Sequence, residues 1–299
     1  MPRPIRLWRA ALAAAFLCAA VASAVQAQNL FSPYVPSDIE EVRRMLTAAN
    51  LRDGDVVYDL GSGDGRIVLE AARMNKTVRG RGIEIDEKLV QKSNQAAKAG
   101  GLDGRVQFLH QNAFDADLRE ATVITMWLFP ELMRMLRPKI LAEAKPGTRV
   151  VTRTWDLGAW RPDETDVTGW PVYMWVVPAN AGGTWTWELP LAGSPRTYVA
   201  LIDQCFQTAE GVARVGNRRG LLDELKVSGA RISFTLQMRV DDIGSTRHEF
   251  DGRVNGNVIE GVVKVLQEKS KTPVELAWRA TRSGESAAAY FAPTGIDMR

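Results

Sequence analysis

Val56-Val57-Tyr58-Asp59-Leu60-Gly61-Ser62-Gly63-Asp64-Gly65-Arg66-Ile67-Val68 is the stretch that decides how this chain reads. Val56–Leu60 is a short apolar run after the turn residues Asp53-Gly54, as a buried strand would be. Ile67, Val68, Leu69, Ala71 and Ala72 then continue at helical spacing. Gly61, Gly63 and Gly65 lie between strand and helix, where the backbone must turn sharply and a ligand can approach without meeting a Cβ. Further on, Glu84 ends the strand-like run Gly82-Ile83-Glu84-Ile85-Asp86. A carboxylate there can accept hydrogen bonds from both hydroxyls of a ribose. Strand, glycine turn, helix and distal acid together read as a site for a nucleoside-containing cofactor.

The residues also bear on which cofactor. Nicotinamide sites favour G-x-G-x-x-G, with the pyrophosphate at the helix N-terminus. This chain reads G-x-G-x-G, with Asp59 before the motif and Asp64 inside it. Two carboxylates repel a pyrophosphate and suit the ammonium and sulfonium of S-adenosylmethionine. Methyl transfer is the expected chemistry.

Outward from the motif, strands alternate with helices. Ser37 and Glu40 form a capping-box pattern before a helix over 37–49. Strands are expected at Gly80–Ile85, Val106–Leu109, Thr122–Leu128 and Arg149–Trp155, with helices over Lys88–Ala99 and Glu131–Ala144. Such alternation means βαβ units and a parallel sheet. Val172–Val177 would close that sheet as an antiparallel strand.

The β/α half, residues 33–165, resembles a class I, seven-strand S-adenosylmethionine-dependent methyltransferase. It is similar to the lysine methyltransferases of the ATP synthase c subunit and the adenine nucleotide translocase, with their exported bacterial relatives, and to the non-SET histone lysine methyltransferases. The resemblance rests on Pro33-Tyr34-Val35-Pro36, the glycine stretch, Gly82–Asp86, Pro130-Glu131-Leu132 and Leu136-Arg137-Pro138-Lys139. It implies an α/β, Rossmann-like sheet with an antiparallel terminal strand and S-adenosyl-L-methionine as cofactor. The implied contacts are Asp59, Gly61, Ser62, Gly63, Asp64 and Gly65 around the methionine end, Glu84 at the ribose and Tyr34 as a cover. Where the family usually has Asp for the adenine amine, this chain has Asn112, whose amide oxygen can still accept.

After the fourth strand, Trp127-Leu128-Phe129-Pro130-Glu131 replaces the Asn/Asp-Pro-Pro-aromatic motif of enzymes acting on nucleic acid bases. Trp127, Phe129 and Glu131 are candidates to flank an acceptor amine, since aromatic faces attract cations. Packing at the sheet end is the favoured reading of the aromatics, and a first-turn helix acid that of Glu131. Trp155, Asp156 and Trp160 face the same end and read as packing. No catalytic residue is assigned. Positioning and desolvation of the acceptor supply most of the rate in methyl transfer. The acceptor is unknown from sequence, a protein lysine amine being one possibility.

Beyond residue 165 the alternation gives way to strands. Thr184–Leu189, Tyr198–Phe206, Arg231–Val240, Glu249–Val254, Val258–Val265 and Val274–Thr281 are expected, with a hairpin at Asn255-Gly256-Asn257. This half reads as an antiparallel barrel or sandwich, and its opening Gly183-Thr184-Trp185 resembles that of lipocalin-like barrels, which hold apolar ligands. The alternative reading is therefore a non-catalytic envelope protein that binds a nucleoside or an apolar ligand on a methyltransferase-like scaffold. The Ala179–Gly183 connection is expected to be a short hinge between packed halves, with Trp170, Trp175, Trp185 or Trp187 near the contact. Proteases should cut first there or at Val215–Gly220.

Composition adds boundaries. Of 299 residues, 45% are hydrophobic and 24% charged, which is globular composition with room for about two domains. Residues 1–9 are basic, Ala10–Val25 carry no charge, and Ala22-Ser23-Ala24 and Val25-Gln26-Ala27 are small-residue cleavage patterns. This is the grammar of a cleaved secretory signal peptide. The expected division is 1–27 signal peptide, 28–178 methyltransferase domain and 179–299 antiparallel β domain, exported to the periplasm. Without Arg3, Arg6 and Arg9 the chain has 35 basic residues against 35 acidic ones, so nucleic acid is not an expected partner, nor is stable membrane insertion. Cys205 would be alone in the mature chain and reads as a small buried hydrophobe, and no metal site is supported.

Overall fold

A computed structural model describes residues 32–268, 270 and 272–291. The leader assigned to 1–27 lies outside the described residues. The chain divides into Met1–Pro36 and Ser37–Arg299, and all elements below belong to the second unit.

The α/β half opens with α1 (Ile39–Ala48), which buries Val42, Met45 and Leu46. Its N-cap is Asp38 rather than Ser37: the Asp38 carboxylate accepts from the Glu40 N–H. There follow β1 (Val56–Leu60), α2 (Arg66–Met74), β2 (Arg79–Glu84), α3 (Glu87–Ala99) and β3 (Val106–His110). Next come β4 (Val123–Met126), α4 (Pro130–Glu143), β5 (Arg149–Arg153), β6 (Glu164–Asp166) and β7 (Val172–Val176). The sheet has seven strands in the order β3-β2-β1-β4-β5-β7-β6. The neighbours from β3 to β5 are parallel, and β7 runs antiparallel between β5 and β6. The central strands read as continuous apolar runs because helices cover both faces. The carboxyl ends of β1, β2 and β3 therefore share one edge with those of β4 and β5, and the order reverses between β1 and β4.

The other half is a closed barrel of eight antiparallel strands in sequential order. These are β8 (Gly183–Leu191), β9 (Ser194–Cys205), β10 (Thr208–Val215), β11 (Arg218–Ser228), β12 (Arg231–Val240), β13 (Gly244–Asn255), β14 (Val258–Gln267) and β15 (Val274–Thr281). Strict in–out alternation along β8 puts Trp185, Trp187, Leu189 and Leu191 inside. Trp187, Tyr198, Phe234, Phe250 and Trp278 contact one another through ring centroids 4.5–6.0 Å apart. These rings pack into the barrel interior, as the small radius of an eight-stranded barrel permits. His248 is buried among them, with Nε2 2.9 Å from the Tyr198 hydroxyl.

Several sequence expectations change at the junction. Ala179–Gly183 is largely buried and bonded rather than an exposed hinge: Ala179 N–H donates to Gly229 O (2.8 Å) and Ala181 N–H to Gln204 Oε1 (2.6 Å). Val215–Gly220 is the tight β10–β11 hairpin, with Val215 paired to Arg218. Phe206, at the β9–β10 turn, and Tyr290 both enter the core of the α/β half beside Trp160 and Trp175. Trp185 Nε1 donates to Ala181 O (2.8 Å), whereas Trp170 is exposed and Trp187 belongs to the barrel interior. Cys205 is exposed, because it occupies an outward position of β9.

Candidate active site

The glycine turn is built by the end of β1 and the start of α2. Gly61 N–H and Ser62 N–H both donate to Ile83 O (2.9 and 3.0 Å), which folds the turn back onto β2. Gly61 has φ 82° and Gly65, the N-cap of α2, has φ 80°. Both lie in the left-handed region, where L side chains are strained. A Cβ at Gly61 would come 2.4 Å from Leu128 Cδ2, and one at Gly65 would come 2.4 Å from Phe108 Cζ. Ser93 of α3 is fully buried and ties the turn down by donating to Gly63 O (3.1 Å).

Three acidic residues surround this turn, in different states. Asp59 is buried and accepts from Thr125 Oγ1 (2.7 Å), its register partner on β4. Burial pushes its pKa up to about 7; the Thr125 hydrogen bond opposes this, and the Glu84 and Asp64 carboxylates add to it. Glu84 accepts from three backbone N–H groups: Gly63 at 2.7 Å on Oε2, Ile85 at 2.8 Å and Asp86 at 3.0 Å on Oε1. A carboxylate offers about four acceptor positions, so Glu84 is held rigid with little capacity left over. Asp64 is gripped by the fork of Arg66, Oδ1 from Nε at 2.8 Å and Oδ2 from Nη2 at 2.6 Å. Its charge is therefore compensated, which moves the site's negative character onto Asp59 and Glu84.

The donor set fits S-adenosylmethionine. Ser62 Oγ is buried with no hydrogen-bond partner among the described residues. A buried hydroxyl left unpaired is costly, and this one lies on the turn itself. The first N–H groups of α2 have no side-chain cap and can serve a carboxylate. Buried Asp59, whose carboxyl ionises only near pH 7, would be drawn into its charged form by an ammonium or sulfonium beside it. Ile85, next to Glu84, is an exposed apolar residue against which a base can lie. Asn112 is exposed and caps the short 3-10 helix Ala113–Asp115, Oδ1 accepting from Phe114 N–H (3.0 Å). One lone pair of that oxygen remains for an adenine amine. Tyr34 belongs to the unit ending at Pro36 and is exposed.

The other half of the same edge separates the acceptor candidates. Trp127 is half-buried, and the Arg153 guanidinium covers one face of its ring 4.2 Å from the centroid. Arg153 is in turn held by Glu41 (2.8 Å), whose carboxyl is kept below the usual range by that hydrogen bond. Trp160 is fully buried against Trp175 and Phe206. Phe129, Glu131 and Trp155 are exposed. Sequence reasoning missed Thr125 as a partner of Asp59; its signal was a hydroxyl inside the apolar run Val123-Ile124-Thr125-Met126.

Sheet order, reversed β7, glycine turn and acid at the end of β2 define a class I S-adenosylmethionine-dependent methyltransferase. Residues 59–164 match the ANTKMT methyltransferase domain. A protein-lysine N-methyltransferase of Saccharolobus islandicus is 41% identical over 132 residues, spanning 44% of this chain and 82% of that protein. The adenine nucleotide translocase lysine N-methyltransferase of Mus musculus is 33% identical over 130 residues, 44% of this chain and 56% of that protein. A solved RNA methyltransferase of Salinibacter ruber, in complex with S-adenosyl-L-homocysteine, is 46% identical, with 48% of this chain and 94% of that chain covered and a TM-score of 0.46. The chain belongs to the ANTKMT methyltransferase family. It spans just over half the length of the mouse relative.

Proposed function

We propose that this chain is an exported protein-lysine N-methyltransferase. One observation carries the acceptor class: the relative matched over 82% of its length is a protein-lysine N-methyltransferase. The leader-like sequence of residues 1–27 supports export, and among the described residues no helix is long and apolar enough to cross a membrane.

S-adenosylmethionine supplies, when bound, an electrophilic methyl group on a sulfonium. Glu84 would hold the ribose through its one remaining acceptor position, Asp59 would face the cationic methionine end, and Ser62 and the α2 N-terminus would take its polar groups. Gly61, Gly63 and Gly65 would leave room for close approach, and Asn112 would accept from the adenine amine. A lysine amine attacks only when neutral, so the protein must desolvate it and aim its lone pair. Apolar surface at the exits of β4 and β5 would favour the neutral amine, formed when the ammonium gives its proton to solvent water before attack, and no base is assigned.

The test is methyl transfer from labelled cofactor into envelope proteins by the purified 28–299 chain. Label on lysine, lost in Glu84→Ala, is the expected result. Label on lipid or nucleic acid alone would overturn the acceptor class. N-terminal sequencing of protein from the envelope fraction tests the leader: an intact Met1 on cytosolic protein would overturn export.

A further inference from the structure

Thr154 has φ 73°, in a region that strains a β-branched residue. It stands where β5 leaves the sheet, at the edge that carries the glycine turn. The turn is locked at both sides: Thr152 Oγ1 donates to Trp155 O (2.6 Å), and Thr154 N–H donates to Pro171 O (2.8 Å). Strain of this kind persists only where the surroundings over-determine it, and it clusters at functional sites. Its consequence here is that the β5 exit, bearing Trp155, is pinned to the β6–β7 tip, bearing Val167 and Trp170.

The registers put these exits in a row. Met126 of β4 pairs with Thr152 of β5, and Arg153 of β5 pairs with Val172 of β7. Phe129, Trp155 and Trp170 therefore leave adjacent strands at the same edge. They are 48%, 48% and 64% exposed, and Val167 is 72% exposed. Several large apolar side chains exposed along one sheet edge are what a docking surface would present. The exposed carboxylate of Glu131 stands in the first turn of α4, beside Phe129. Aromatic faces and an acid together complement a cation set among apolar groups.

We propose that Phe129, Trp155 and Trp170, with Glu131, form the acceptor-selecting surface, and that its occupant is a protein segment whose lysine is flanked by apolar residues. This rests on the lysine reading above and narrows it. Trp127 and Trp160 are excluded from the role, the first by the Arg153 guanidinium on its ring and the second by burial.

The experiment uses the 28–299 chain and two peptides of equal length and charge, one with its lysine between Leu and Phe, the other with its lysine between Ser and Gly. Wild type should methylate the apolar peptide with a kcat/KM at least about tenfold higher, the scale of one aromatic anchor. Trp155→Ala and Trp170→Ala should each lower that value about tenfold and bring the two peptides level. Binding of S-adenosyl-L-homocysteine should stay within about twofold, and Trp155→Phe should restore most of the preference. Equal methylation of both peptides by wild type, or a preference that survives in both Ala variants, overturns this proposal and leaves the lysine reading intact. Methylation of neither peptide, with label entering another class of acceptor, overturns both. Loss of binding to phosphatidylglycerol vesicles in the Ala variants with the peptide preference unchanged would make the surface lipid-facing and overturn the proposal.

Discussion

Replacing Asp59 by Asn separates the stability of this site from its function. The native carboxyl holds its proton up to about pH 7, whereas the ordinary value is 3.8. Folded Asp59 thus binds a proton more tightly than unfolded Asp59. Its contribution to stability is full below pH 3.8 and declines as pH rises through the window up to about 7. At about 1.4 kcal/mol per pKa unit, this interval sets a ceiling of roughly 4 kcal/mol. The amide in Asp59→Asn keeps an acceptor for Thr125 and has no charge to bury. The variant should therefore be more stable than wild type at pH 8, by up to a few kcal/mol, and the advantage should vanish at pH 4. Binding moves the opposite way. Loss of a charge-assisted hydrogen bond of roughly 1.5–3 kcal/mol weakens S-adenosylmethionine by about 10- to 150-fold. Urea denaturation at the two pH values and calorimetric titration at pH 8 measure both effects. A stability difference independent of pH, or undiminished binding in Asp59→Asn, would refute the reasoning.

Further outcomes follow from the same contacts. Gly63→Arg places a side chain at φ 54° inside the turn and should abolish cofactor binding, while calorimetry on Glu84→Ala should show at least tenfold weaker binding. Arg149→Ala removes the partner of buried Asp55 (2.5 Å) at the opposite end of the sheet and should lower unfolding free energy by about 3–5 kcal/mol, with site affinity unchanged. Arg282 stacks over Trp185 (4.6 Å) and donates to Asn180 O (3.0 Å) and Gly256 O (3.3 Å) where the barrel closes; Arg282→Ala should cost about 2–4 kcal/mol in the same assay. A chain ending at Pro178 lacks Phe206 and Tyr290, whose hydroxyl donates to Leu141 O (3.0 Å), so Trp160 and Trp175 lose cover. Such a fragment should melt well below the 28–299 chain in a thermal scan, and equal melting would show that the barrel half lends the other no support.

The parts of the fold legible in sequence were those where a local pattern coincides with the tertiary environment. Val56–Gly65 is one, because a buried parallel strand is apolar throughout and the following turn needs glycine wherever φ is positive. β6 was not legible: Glu164-Thr165-Asp166 is short and polar and is a strand only because β7 offers it an edge. β10 and β11 escaped for other reasons. The inward positions of β10 are mostly small, Ala209, Gly211 and Ala213, and give little apolar signal, whereas the register of β11 shifts between Asp223 and Lys226, around Glu224 at φ 55°, which breaks its alternation. At the site, the glycines of the turn and the acid Glu84 at the end of β2 could be placed from spacing. The pairing of Asp64 with Arg66, the Thr125 bond to Asp59 and the Arg153 cover on Trp127 could not, since each depends on side-chain direction or on strands distant in sequence.

Mass spectrometry of lysine residues in envelope proteins, after incubation with the 28–299 chain and isotopically labelled S-adenosylmethionine, tests the central claim most directly. Labelled methyl groups on lysine side chains, absent with Glu84→Ala, are the outcome this account predicts. Labelled lysine appearing equally with Glu84→Ala, or no labelled lysine while wild type consumes the cofactor, would contradict it.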